Sequence, residues 1–245
     1  MRRILNILLV PCLLLAFTAC DMFQLDNFDG PNAKFYGSIK DAQTGELVET
    51  DIQNGTEIRA IELDWASEST QTWYIKQNGE FRNDLVFAGE YRIEFQNGNI
   101  YPFEIKNFNI KKGNNEHHFE VTPYLRIKNP SIRKEGNKIV ATFSVEAGKP
   151  EVKLRAIRLY AHNDIYVGEQ VKFDTKGDGF SQSFSPAKDV DGTTYTLSID
   201  LDNADNQNFF KYDRNFYFRI GAVASMPASY GTIRYNYAPL VVIPL

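Results

Sequence analysis

A chain of 245 residues, 43% hydrophobic and 13% aromatic, can bury one large core or two of ordinary size. Its 31 acidic and 27 basic residues leave a net charge of -4, which excludes a basic face for nucleic acid. Lys106, Lys111 and Lys112 are scattered among Asn and Glu and read as a solvated edge. The two cysteines, Cys12 and Cys20, both fall in the first twenty residues. A mature chain beginning at a lipid-bearing Cys20 would therefore keep no thiol for a disulfide, a metal site or a nucleophile.

The N-terminus carries an export signal. Arg2-Arg3 is followed by an apolar run from Ile4 to Phe17, then by the small residues Thr18-Ala19 directly before Cys20. That order places a lipid-acceptor cysteine at a signal-peptidase cut site. The run is too short to cross a bilayer comfortably, which takes about 20 apolar residues. A plain cleaved signal or an anchor helix with Cys20 incidental are the alternatives. The order of charge, apolar run, small residues, Cys and polar stretch favours lipidation. This reading makes residues 1–19 a signal peptide and 20–30 a lipidated polar tether, with Asp21, Asp26 and Asp29 ahead of Gly30-Pro31. The expected location is the outer membrane, lipid-anchored, at the cell surface.

Beyond the tether the dominant period is two. Tyr91, Ile93 and Phe95 alternate with Arg92 and Glu94; Ile139, Ala141, Phe143 and Val145 with Thr142 and Ser144. Tyr195, Leu197, Ile199 and Leu201 follow suit, and Phe216, Phe218, Ile220 and Ala222 share a face opposite Tyr217 and Arg219. These are half-buried antiparallel strands. The phase slips at Ala60-Ile61 and Ala156-Ile157, where a bulge would restore burial. Asn78-Gly79, Asn97-Gly98 and Gly136-Asn137 supply hairpin turns. Pro123 cannot donate within a central ladder, so Thr122-Pro123-Tyr124 reads as a seam between domains at 31–122 and 123–245. The predicted fold is all-β: two β-sandwich domains after a lipoprotein signal peptide.

Tyr36-Gly37-Ser38-Ile39-Lys40-Asp41, Thr44-Gly45-Glu46, Asn78-Gly79-Glu80-Phe81 and Ala88-Gly89-Glu90-Tyr91 resemble a carboxypeptidase regulatory-like domain, a small transthyretin-like sandwich. Tyr217 to Ala222 and Ile233 to Ile243 resemble the last strands of a fibronectin type III or immunoglobulin-like sandwich. The whole mature chain is similar to a Bacteroidetes lipoprotein family known as domain of unknown function 3823. The matching stretches are Leu25 to Ala33, Val121 to Ile127 and Arg234 to Tyr237. The resemblance implies an accessory component beside outer-membrane glycan-uptake proteins, and it transfers no catalytic residue.

The residues themselves point away from an enzyme. G-x-S-x-G, H-E-x-x-H and phosphate-cradling glycine motifs are missing from the sequence. His117 and His118 sit side by side on a strand and face opposite ways, so they cannot chelate one ion together; His162 ends another strand. Asp174 to Gly179 and Asp200 to Asp205 resemble calcium loops. They lack the D-x-D-x-D-G spacing and a closing Glu, so they read as solvated turns and no cofactor is expected. Aromatics outside the strands are what remains. Sugar rings stack on Trp and Tyr, and Tyr230 in the loop Ser225 to Thr232 is the first candidate platform, Trp65 the second. Trp73, alternating with Ile75, reads as core. The expected partners are the membrane, through Cys20, and a polysaccharide or oligosaccharide with its outer-membrane uptake proteins. The alternative is a structural or adhesive spacer that holds a protein partner.

Overall fold

The computed structural model describes residues 29–64 and 67–245. Cys20, the signal, the tether up to residue 28 and Trp65 lie outside the described residues. The first half contributes β1 (Ala33–Asp41), β2 (Glu57–Glu62), β3 (Thr70–Tyr74), β4 (Glu80–Val86), β5 (Gly89–Phe95), β6 (Phe103–Ile110) and β7 (Gly113–Val121). They form two sheets, ordered β4-β1-β7 and β3-β2-β5-β6. β1 and β7 run parallel in unbroken register from Ala33↔Gly113 to Asp41↔Val121, whereas β1 pairs β4 antiparallel. The alternation closes the sandwich: Phe35, Trp73, Tyr91, Phe95 and Phe119 all point into one core. Phe35 is its hub, with ring centroids 5.0 Å from Phe81 and 5.5 Å from Trp73. Each such aromatic contributes about 1.5–3 kcal/mol by burial alone.

The second half contributes β8 (Leu125–Glu135), β9 (Lys138–Ala147), β10 (Lys153–His162), β11 (Ser181–Asp189), β12 (Thr194–Asp200), β13 (Asn215–Ser225), β14 (Tyr235–Tyr237) and β15 (Val241–Pro244). Its sheets are β12-β9-β8 and β11-β10-β13-β14, with β15 also on β13. Phe143, Leu154, Leu159, Phe216 and Phe218 fill the space between them. Among the described residues helix is confined to one turn, α1 (Gln207–Phe210), and a 3₁₀ turn at Ala228–Tyr230. The protein is thus all-β, as the alternation predicts.

One expected bulge is present and one is not. β10 slips register between Leu154 and Ala156, which returns Ile157 and Leu159 to the core. β2 runs regularly through Ala60 and Ile61; the irregularity falls one strand further out, where β6 carries an extra residue between Ile105 and Phe108, opposite Tyr91 to Ile93 of β5. Both Ala60 and Ile61 are buried, so this part of β2 is covered on both faces and has no need of a bulge.

β13 departs from its pattern in the same way, with larger consequences. Tyr217 and Arg219 read as the face opposite its core residues, yet Arg219 is 0% exposed, and Val223 further along that face is buried too. The first half of the chain covers that face. The Asn97-Gly98 turn docks there too: Gly98 N–H donates to Thr232 O (3.0 Å), and Arg234 N–H to Gly98 O (2.9 Å). The two sandwiches therefore share a polar, solvent-excluding seam.

Candidate functional site

The seam is organised around the Arg219 guanidinium. It stacks on the Tyr237 ring at 4.0 Å and donates to Glu49 Oε2 at 2.6 Å across the two halves. It also donates to the carbonyls of Thr50 (3.0 Å), Gln77 (3.3 Å), Ala238 (3.3 Å) and Val167 (3.4 Å). A planar fork with five N–H groups suits such a cluster of carbonyls, which the point charge of a lysine would not. Beside it, Asp51 accepts from the Tyr237 hydroxyl (2.5 Å) and from Glu169 N–H (3.0 Å). Gly168 allows that approach, because a Cβ there would lie 2.1 Å from Asp51 Oδ1. Fully buried Asn99 and nearly buried Asn236 complete the seam: Asn99 Nδ2 donates to Glu49 O (2.7 Å) and Tyr235 O (3.0 Å), and Asn236 Nδ2 to Asn99 O (2.9 Å).

Burial pushes the carboxyls of Glu49 and Asp51 above their ordinary values, and the bonds from Arg219 and Tyr237 offset only part of that shift. A carboxyl raised in the fold holds its proton more tightly folded than unfolded. Its stabilising contribution is complete below the ordinary values of 3.8 for Asp and 4.5 for Glu, and is lost as pH rises through the folded values. Stability should fall as pH rises above those ordinary carboxyl values, and Asp51→Asn should flatten that slope. Urea titrations across this range measure it; an unchanged slope would mean Asp51 is open to water. Asp41 behaves oppositely. Burial pulls it upward, but bonds from Arg126, 2.8 Å between NH2 and Oδ1, outweigh burial and hold it below the usual range.

Two depressions open along the seam. In one, of about 520 Å3, Leu47 and Glu49 of the first half face Pro123, Arg126, Lys128 and Pro239 of the second. The other, of about 350 Å3, sets Ile165, Tyr166 and Leu240 against Lys76, Gln77 and Asn78. Gln77 Nε2 donates to Val167 O at 2.8 Å, so the loop that carries Tyr166 is tied to the first sandwich. Tyr166 N–H also donates to Asp164 Oδ1 (3.0 Å). Ile165 (51% exposed) and Tyr166 (48%) thus present an apolar patch beside amide and charged groups. A ring face bordered by amides and charges is the surface on which a sugar stacks while its hydroxyls find partners.

Tyr230 ends the 3₁₀ turn Ala228–Tyr230, within the loop Ser225 to Thr232 where the sequence places it. It is half-buried, edge-on to Tyr101 (5.8 Å) and Tyr124 (6.4 Å), and packs against the second core. Its loop is docked on the Asn97-Gly98 turn, since Thr232 N–H donates to Asn97 Oδ1 (3.0 Å). A Cβ on Gly231 would meet Gln96 O at 2.3 Å, which shows how close this docking is. Tyr230 lines neither seam depression. Tyr166 went unnoticed in the sequence. The signal for it was Ile165-Tyr166-Val167, three adjacent apolar residues between the turn residues Asn163-Asp164 and Gly168, outside any alternating run.

The other residues singled out fall where the spacing places them. His117 packs against Phe108 and Phe119, while His118 is exposed on the opposite face and bonds Ser38 Oγ at 2.8 Å. His162 lies against the Phe173 ring. The two acidic loops adjoin each other. Buried Asn206 donates to Lys176 O (3.0 Å) and Asp200 O (2.8 Å), and Lys176 pairs with Asp174. Among the described residues no group of three or more His, Cys, Asp or Glu converges in a way that could hold a metal ion.

The fold and its seam define the class: a two-domain β-sandwich protein whose halves meet across a buried polar interface. Residues 33–122 match the Protein of unknown function (DUF3823) N-terminal domain, and residues 125–237 match the Domain of unknown function (DUF3823_C). The chain belongs to the DUF3823 family. Among solved structures it is similar to a protein of Bacteroides uniformis described as a candidate carbohydrate binding protein. The two are 50% identical, with a TM-score of 0.83 over 88% of this chain and 100% of that one. A DUF3823 family protein of Parabacteroides merdae, 22% identical, shares the fold at a TM-score of 0.69, again over 88% of this chain and 100% of that one. No curated protein matches the chain.

Proposed function

We propose that this protein is a non-catalytic envelope lipoprotein that binds carbohydrate as an accessory to a polysaccharide-uptake system. The observation that carries the reading is the exposed Ile165-Tyr166 patch beside Gln77, Asn78 and Lys76 at the seam. The description of the Bacteroides uniformis relative supports it. The carboxylates nearest the seam fit binding better than hydrolysis: Glu49 is held by Arg219 and Asp51 by Tyr237. A glycosidase instead needs two free carboxyls facing each other across a cleft.

Purified protein titrated with soluble glycans should bind in the micromolar to millimolar range, since a shallow site buries little area. Tyr166→Ala should weaken binding by about 1–2 kcal/mol, the order of one aromatic platform, and leave the melting temperature nearly unchanged. Co-purification with an outer-membrane protein in the absence of glycan binding would favour the spacer reading instead.

The anchor is part of the same proposal. Cells expressing the wild type should incorporate a fatty-acid probe into the protein, and Cys20→Ala should lose the label and accumulate precursor. An unlabelled wild type would rule out lipidation.

A further inference from the structure

A third depression, of about 460 Å3, lies on the outer face of the β4-β1-β7 sheet. Strand alternation sends Tyr36 and Ser38 of β1 to this face, opposite Arg82 and Glu80 on β4 and Glu116 and His118 on β7. The Arg82 guanidinium lies 5.6 Å from the Tyr36 ring centroid, which steadies that ring. This depression adjoins the two at the seam and shares lining residues with each. Leu47 borders both it and the interdomain cleft, and Lys76 and Glu80 border both it and the Tyr166 depression. Glu49 lies between the remaining two. The three meet around residues 47–49 and 76–80, so one surface runs from His118 across three strands, about 10 Å, and on to Tyr166. That span exceeds a single sugar ring.

The charges along the surface alternate in sign. Lys40, Lys76 and Arg82 are interspersed with Glu46, Glu80 and Glu116, and Arg82 is further paired with Asp84. Such a surface has no field of one sign to draw in a polyanion, but it offers donors and acceptors throughout.

We infer that this surface is an extended groove for a neutral glycan chain, bound along several sugar units from Tyr36 on the first sandwich to Tyr166 at the seam. The inference rests on the carbohydrate reading and adds to it the ligand's length and charge. A long chain then occupies both ends at once, whereas a short one is held at the Tyr166 end alone.

Affinity electrophoresis of the purified protein through gels containing amylopectin, xylan, galactan or polygalacturonate identifies the polymer bound. Calorimetry with oligosaccharides of that polymer follows. Affinity should rise at least about tenfold from disaccharide to hexasaccharide, which corresponds to 1.4 kcal/mol. Tyr36→Ala should weaken the hexasaccharide about fivefold or more and leave the disaccharide unchanged, whereas Tyr166→Ala should weaken both. Arg82→Ala, on the facing strand, should reproduce the Tyr36→Ala pattern and serves if that variant melts early. Equal affinity for disaccharide and hexasaccharide, or a preference for polygalacturonate, would overturn the groove while leaving carbohydrate binding intact. No retardation by any of the four polymers would overturn the carbohydrate reading and the groove together.

Discussion

Arg219→Met is expected to lower the melting temperature by about 6–20 °C. Removing one member of a buried, hydrogen-bonded ion pair costs about 3–5 kcal/mol, and about 2–4 °C follows per kcal/mol in a protein of this size. The reason is specific to the seam. Arg219 is 0% exposed, and without it the Glu49 carboxylate and four backbone carbonyls lose their shared donor at once. Methionine fills much of the arginine's volume, so the loss is one of charge and hydrogen bonding more than of packing. Pairing Arg219→Met with Glu49→Gln should recover part of the loss, because the partner left behind is no longer charged. Thermal melts of the two single variants and the double variant complete the cycle. A fall of under about 3 °C for Arg219→Met would show that water reaches the guanidinium and that the seam does not depend on it.

Gly37→Ala should be at least as damaging, at more than about 4 kcal/mol, and should prevent the first sandwich from closing. A Cβ on Gly37 would lie 1.6 Å from the carbonyl oxygen of His117 and 2.7 Å from its carbon. Both are backbone atoms of β7, opposite Gly37 in the parallel ladder, so no side-chain rotation relieves the overlap. The strands must separate, and Phe35 and Ile39 on β1 would be drawn out of the core with them. Gly45→Ala is the control. Gly45 has a φ of +74° and nothing within 4 Å of a Cβ, so only the backbone strain of about 1 kcal/mol applies. Circular dichroism melts and limited proteolysis of the full chain distinguish the two, and comparable stability for both variants would disprove the steric argument.

The sequence alone was enough to determine the all-β class, most of the strands and both cores. In β9 and β12, apolar residues at every second position can be buried on one face only if the chain is extended. The Asn78-Gly79 and Gly136-Asn137 turns were equally legible, since each calls for positive φ next to an alternating run, and Gly79 and Gly136 adopt it. Tertiary structure alone decided the fate of β13's second face. An arginine opposite Phe218 and Ile220 reads as a solvated residue, because alternation reports what a strand's own faces prefer and not what another sandwich lays over them. Glu49 is 170 positions from Arg219, and Asp41 is 85 from Arg126. No local period links such pairs. The same holds for Tyr166 and for the groove. Their chemistry arises where β1, the Lys76–Glu80 hairpin and the loop after β10 converge, and that convergence is set by packing between domains, not by any single stretch of chain.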